Sequence, residues 1–377
     1  MRPQNTLLVA DSEHDANMLY AAGILVPDPF ICLQVRGQTH LILSDPELNR
    51  ARAKACRCRV TSLSRYHRLL MKCGVENPQT GEVIAAFLRE KRVKKVRVPE
   101  DFPLALAQQL RRLKIKLKPV AGGLYPQRQF KSADEVKKIS AALMMAEVGL
   151  SEAIQALKIA RINPAGKLLY RNAPLTSEKL RSIIEVAILQ AGGVATRTMV
   201  AGGRQACDPH EEGWGVLKAN QPIVIDIFPR SRKTGYFGAI TRTVVRGRAS
   251  EVVRKLHATV ERAQNLAFSQ MRHGARAGDI HQSVVDYFSS QGYTTGKRNG
   301  RPQGFLHDTG HGVGLEVHEA PGVHAQSPDT LLAGHVVSVA PGLYFPHLGG
   351  MRLEDMALIT TNGPRNLTRF EKALELP

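Results

Sequence analysis

The chain reads as a mixed α/β (α+β) protein built from two domains, and three observations carry that reading. Its 377 residues exceed what one compact core of ordinary size holds. Short apolar runs alternate with stretches of helical periodicity. The segment 119–126, Pro-Val-Ala-Gly-Gly-Leu-Tyr-Pro, is dense in turn residues and marks a boundary. The expected domains are therefore 1–125 and 126–377.

In the first domain, residues 7–10, 30–35 and 40–43 are apolar runs of strand length, and 94–98 is a fourth. Residues 83–91 and 104–113 show helical periodicity. No chemistry can be assigned to this part. In the second domain, Ser132 followed three residues on by Glu135 makes a capping box, so a long helix is predicted over 133–160. Further helices are predicted at 177–190, capped by Thr176 or Ser177 and ended by Gly192-Gly193, at 251–271 and at 280–291.

Composition narrows the function classes. Hydrophobic content of 43% and charged content of 23% are ordinary for a soluble globular chain. The apolar run at 7–10 is stopped by Asp11, so no signal peptide is expected, and no run approaches the roughly 20 apolar residues that span a bilayer. A cytoplasmic protein with no membrane association is the expectation. Five cysteines, with only Cys56 and Cys58 close and in a C-x-C spacing, argue against a disulfide framework or a zinc knuckle. The net charge is +19, and residues 1–130 hold 22 Lys and Arg against 11 Asp and Glu. Aromatics are only 5% and do not interleave with the basic runs, so the excess reads as a solvated surface, with nucleic acid as the less favoured partner.

Two predicted hairpins carry chemistry. Residues 221–228 form a strand with Asp226 inside an apolar run, 229–235 a turn, and 236–245 the return strand. A turn centred near Arg232 and Lys233 sets Asp226 opposite Ala239. Residues 335–340 form a strand, 346–350 a turn and 351–354 the return, and a turn near His347 sets Ala340 opposite Glu354. A carboxylate in an apolar strand is costly unless it is paired, hydrogen-bonded or metal-bound. One alone fits a hydrogen-bonded carboxylate; the recurrence on a second hairpin points to a site. Between the hairpins, His307, His311 and His318, with Glu319, lie among glycines that allow close approach of backbone or ligand. His210 follows Asp208-Pro209 just before the first hairpin.

These runs resemble one family. Asp208-Pro-His210, Val224-Ile-Asp-Ile227, Gly235 to Thr243, His307-Asp-Thr-Gly-His-Gly-Val-Gly314, Val317-His-Glu319, Ala340-Pro-Gly-Leu-Tyr344 and Gly350-Met-Arg-Leu-Glu-Asp355 are similar, in order and spacing, to the pita-bread metallopeptidases (aminopeptidase P, prolidase, methionine aminopeptidase, creatinase). The resemblance implies a creatinase/aminopeptidase P-like α/β domain followed by a pita-bread domain, a curved antiparallel sheet covered by helices. It implies a site for two divalent metals, manganese above cobalt or zinc, that activate a water. Asp226, His311 and Glu354 match metal ligands, whereas Ala239 and Ala340 stand where the family has an aspartate and a glutamate. His210, His318 and Arg352 match positions that work around substrate.

The implied activity is hydrolysis of the bond before proline in short peptides, as an Xaa-Pro aminopeptidase or dipeptidase, from a homodimer. With two ligands missing, the metals are expected to be absent or weakly held and hydrolysis poor. The pattern around both alanines is intact, which reads as inactivation of an enzyme rather than drift. Two alternatives stay open: a non-catalytic pita-bread binding module, and a creatinase-like hydrolase that works through histidine without metal.

Overall fold

The computed structural model describes residues 4–377, and the chain divides into two compact units, Met1–Arg128 and Gln129–Pro377.

The first unit contains β1 (Thr6–Ala10), α1 (Ala16–Ala22), β2 (Phe30–Val35), β3 (Gln38–Leu43), α2 (Leu48–Lys54), β4 (Cys58–Ser62), α3 (Leu63–Lys72), α4 (Thr80–Glu90), β5 (Lys95–Pro99), α5 (Leu104–Arg112) and β6 (Lys116–Val120). The strands form one mixed sheet in the order β4-β3-β2-β1-β5-β6. Side chains alternate across a strand, and the core follows. Leu7 and Leu33 face a cluster with Val83, Phe87 and Val96. Leu8 and Cys32 face the other cluster, with Met18, Leu41 and Tyr125.

Sequence reasoning missed α1, α2, α3, β4 and β6. The first two helices are only seven residues long, too short for a periodic signal. The predicted boundary segment 119–126 is partly strand: Pro119 and Val120 finish β6. A proline fits there because β6 is an edge strand, where one N–H need not join a ladder.

The second unit opens with α6 (Ala133–Ile159), whose capping box forms as predicted: Ser132 Oγ accepts from the Glu135 N–H (3.3 Å) and Glu135 Oε2 accepts from the Ser132 N–H (2.9 Å). Three short strands follow, β7 (Arg161–Ile162), β8 (Leu168–Tyr170) and β9 (Ala173–Pro174), then α7 (Ser177–Gln190), capped by Thr176. Next come β10 (Gly193–Val194), β11 (Met199–Gly202), β12 (Ile223–Ile227), β13 (Arg230–Ser231) and β14 (Ile240–Arg246). Helices α8 (Glu251–Gln270) and α9 (Ala277–Ser290) precede β15 (Gly296–Arg298), β16 (Arg301–Gln303), β17 (Gly310–Gly312), β18 (Glu319–Val323) and β19 (Val336–Val339). The chain closes through β20 (Gly342–Phe345), β21 (Gly349–Arg352), β22 (Asp355–Thr360), β23 (Gly363–Asn366) and β24 (Glu375–Leu376).

Two mainly antiparallel sheets, β11-β12-β14-β24 and β18-β17-β19-β22-β23, form its frame, and α8 and α9 bury Val253, Val260, Ile280 and Phe288 in the cluster that includes Val337 and Leu353. This is the α/β pita-bread architecture that the sequence resembles.

The two hairpins differ from prediction in an instructive way. The second has the expected register: Val339 pairs with Asp355 in β19–β22 and Gly342 with Arg352 in β20–β21, both symmetric about His347. It is broken into two pairs at Ala340-Pro341, so Ala340 and Glu354 sit at the gap. The first is shifted. Asp226 pairs with Thr241, not with Ala239. The loop closes one position later than expected, with Gly235 in the left-handed region at φ 77° and its N–H donating to Ser231 O (2.8 Å). Moving a turn centre by one residue moves the pairing by two, which keeps every side chain on its face. The face was therefore right and the partner wrong.

Candidate functional site

Asp226, next to the last residue of β12, is buried because the strand carrying it is otherwise apolar, and Glu354 is buried just beyond β21. Thr241 lies between them. It pairs with Asp226 across β12–β14 and bridges to Glu354 on the other side, tying the two sheets together. Its Oγ1 is 2.7 Å from Asp226 Oδ1 and 2.9 Å from Glu354 Oε2.

One hydroxyl proton serves only one carboxylate. The arrangement is satisfied when Glu354 holds a proton and donates it to Thr241, while Thr241 donates to Asp226. The electrostatics agree: burial first, and then the Asp226 carboxylate, push the Glu354 pKa up. Asp226 itself is neutralised by the chain, since Arg352 Nη2 donates to its Oδ2. Burial works against the charge of Arg352, but Asp226, Tyr344 and Glu354 together outweigh it and hold the guanidinium firmly protonated. Arg352 Nη1 also reaches Pro209 O at 3.3 Å, while its Nε has no partner.

The imidazoles gather beside this row. His311, on β17, has Nδ1 3.2 Å from Gly312 O and Nε2 4.0 Å from Glu354 Oε1. Its ring lies 4.1 Å from that of His318, centroid to centroid, nearly perpendicular. Burial and then His318 lower the His311 pKa to about 4. His318 is lowered chiefly by burial, with the nearby His210 adding to the effect. His307 is lowered to about 3, by burial and then Arg352. It accepts from the Tyr344 hydroxyl at Nε2 (2.7 Å) while Nδ1 donates to Asp308 O (2.8 Å). Burial in turn raises Tyr344 to about 12. At neutral pH this is a set of neutral imidazoles next to a buried acid–guanidinium pair.

The structure thus brings together Asp226, Glu354, Arg352, His311 and His318, with His210 at the exposed edge. Ala239 and Ala340 are both buried, and the N–H of Ala340 donates to Thr309 O at 2.7 Å. Glu319 does not join the site: its Oε1 pairs with Lys131 Nζ at 2.7 Å, both side chains buried. The glycines have a role other than the expected one. A Cβ on Gly310 would lie 1.9 Å from Ser338 O, and one on Gly312 2.4 Å from Ala320 O. They let β17 pack tightly between its neighbours rather than admit a ligand.

Sequence reasoning missed Thr241, Tyr344 and the buried Arg242–Asp355 pair. All four lie in the quoted runs, and a polar residue inside an apolar strand, the signal that marked Asp226, marks Thr241 and Arg242 equally.

The donor set does not fit a pair of divalent ions. Both oxygens of Asp226 are engaged by side chains, Glu354 reaches only one imidazole, and two positions supply methyl groups. Among the described residues, no group of three or more His, Cys, Asp or Glu lies close enough to hold an ion.

Residues 137–361 match the metallopeptidase family M24. The uncharacterized peptidase YqhT of Bacillus subtilis is 31% identical over 254 residues, covering 62% of this chain and 69% of that protein. The Xaa-Pro dipeptidase of Pyrococcus furiosus is 34% identical over 182 residues, covering 47% of this chain and 48% of that one, about half its length. In fold, the crystal structure of an X-Pro aminopeptidase from Thermotoga maritima superposes with a TM-score of 0.82 at 22% identity, covering 99% of this chain and 97% of that one.

Proposed function

Since the chain belongs to the metallopeptidase family M24, we propose that its site is that of an Xaa-Pro aminopeptidase or dipeptidase in which peptide recognition outlives hydrolysis. The observation that carries this reading is the Asp226–Arg352 pair beside the two alanines: a guanidinium holds the carboxylate that a metal would need. Asp226, His311 and Glu354 are the retained part of a metal site, and His210, His318 and Arg352 face the peptide. The names of the relatives support proline-containing peptides as the substrate class. The first unit, in this reading, is a creatinase/aminopeptidase P-type domain, and the working form is a cytoplasmic homodimer.

The test is manganese-dependent hydrolysis of short Xaa-Pro peptides by this chain and by Ala239→Asp/Ala340→Glu in parallel. The double variant is expected to cleave, because two new carboxylates add ligands for which Arg352 has no matching charge, and the chain as it stands is expected to cleave at least about a hundredfold more slowly, a loss on the scale of a missing catalytic group. Equal cleavage by both would overturn the ligand assignment. No cleavage by either moves the binding-module reading ahead. The cluster of neutral imidazoles also supports a histidine-based, metal-free hydrolase, for which cleavage by the unaltered chain in the presence of chelator is the sign.

A further inference from the structure

A cavity of about 1110 Å³ beside the site is lined by arginines the proposed chemistry does not use. It shares Asp208 and Pro209 with the loop that Arg352 touches, and Leu306 in its wall directly precedes His307. The cavity therefore adjoins the site.

Three guanidiniums line it: Arg298 and Arg301 from the β15–β16 hairpin and Arg204 from the turn Gly203–Cys207. Arg298 and Arg301 are directly paired across the hairpin, so their side chains project from the same face. The two-residue turn between them, Asn299-Gly300, has φ 51° and 75°, the tight turn that fixes hairpin register. Like charges set opposite each other are destabilising, so local stability does not explain them.

Arg204 completes the group, and its charge and that of Arg301 both act on the Cys207 thiol in the same wall. Among the described residues, none of the three guanidinium groups has an ion-pair or hydrogen-bond partner. The one acid lining the cavity, Asp208, already accepts from the His210 N–H (2.9 Å). The cavity therefore has three unspent planar donors shaped for carboxylates.

We propose that this cavity is a subsite for carboxylate groups on the part of the peptide beyond the proline, so that the preferred ligands are proline-containing oligopeptides with acidic residues downstream. The proposal rests on the peptide-recognition reading above.

The experiment is fluorescence anisotropy with the full chain and labelled peptides that share an Xaa-Pro start. One carries two downstream glutamates and an amidated end, one two alanines and an amidated end, one two alanines and a free carboxylate, and one two lysines. The glutamate peptide is expected to bind about tenfold more tightly than the neutral amide at low salt, with the gap closing as ionic strength rises. Arg204→Gln/Arg298→Gln/Arg301→Gln should remove the gap, and Arg298→Glu alone should favour the lysine peptide.

If only the free-carboxylate peptide gains affinity, the cavity reads the chain terminus and the acidic-residue proposal is overturned. Equal binding of all four, or a glutamate preference that survives the triple variant, overturns it too. Replacing proline by alanine in each peptide separates the two readings. A glutamate preference without proline dependence removes the Xaa-Pro reading and leaves the cavity intact; proline dependence without glutamate preference does the reverse.

Discussion

Two buried arginine–aspartate pairs lie on the same few strands and do opposite things. Arg242 on β14 pairs with Asp355 on β22 at 2.7 Å, each only 1–2% exposed. Its remaining donors go to carbonyl oxygens of Thr241, Glu354, Phe370 and Glu371, while Asp355 also takes Lys372 and Asn366. Every valence is used, and the pair fastens β22, which starts directly after Glu354, to the strand that carries Thr241. Arg352 and Asp226 are also buried, yet Arg352 keeps Nε without a partner and Asp226 shares its neighbourhood with a second carboxylate. A saturated ion pair works as a rivet. An unsaturated one, in a cluster with more negative capacity than positive, marks a place where a further ligand once fitted or still fits.

The largest effect should come from the rivet. Arg242→Met leaves Asp355 buried without its main partner and orphans several carbonyls, so it should cost about 4–5 kcal/mol in denaturant unfolding. Arg352→Met should cost less, about 2–3 kcal/mol, because Glu354 can stay protonated and Thr241 still serves Asp226. Its loss should be greater in alkaline than in mildly acidic buffer. If the two substitutions cost the same at every pH, the contrast between the pairs fails.

The smallest effect is a pH dependence in Glu354→Gln. The Glu354 pKa is raised in the folded chain, so the folded state favours the protonated form. Its stabilising share is whole below the ordinary glutamate value of 4.5 and is lost as pH rises through the raised one. Glutamine imitates the protonated acid at all pH values. The variant should therefore match the parent near about pH 5 and exceed it by about 1 kcal/mol near about pH 8.5, read from urea midpoints. A difference independent of pH would mean that Glu354 is ionised throughout.

Much of the second unit was legible. The capping box at Ser132, the helix 177–190 and the register about His347 each follow from local rules: a short side chain that satisfies an end, an apolar period, a turn that fixes its own pairing. The first hairpin shows the limit. Its faces were readable from the period of two, but whether Asp226 meets Ala239 or Thr241 depends on where Gly235 takes up its left-handed conformation, and a sequence of Arg, Ser, Arg, Lys and Thr does not say. In the first unit, short or highly basic elements such as α1 and α2 carried too little apolar pattern to be seen.

By itself, the sequence determined which residues are chemically able to act: the embedded acids, the histidines and the two methyl groups where ligands belong. Those are properties of residue type and spacing. Only the tertiary structure decided how they are spent. Arg352 pairs with Asp226 across 126 positions of chain, Glu319 is drawn off to Lys131, and a threonine with no apparent role becomes the link between two carboxylates. Charge neutralisation in a buried site is settled by whichever partner arrives in space, and sequence distance carries no record of it.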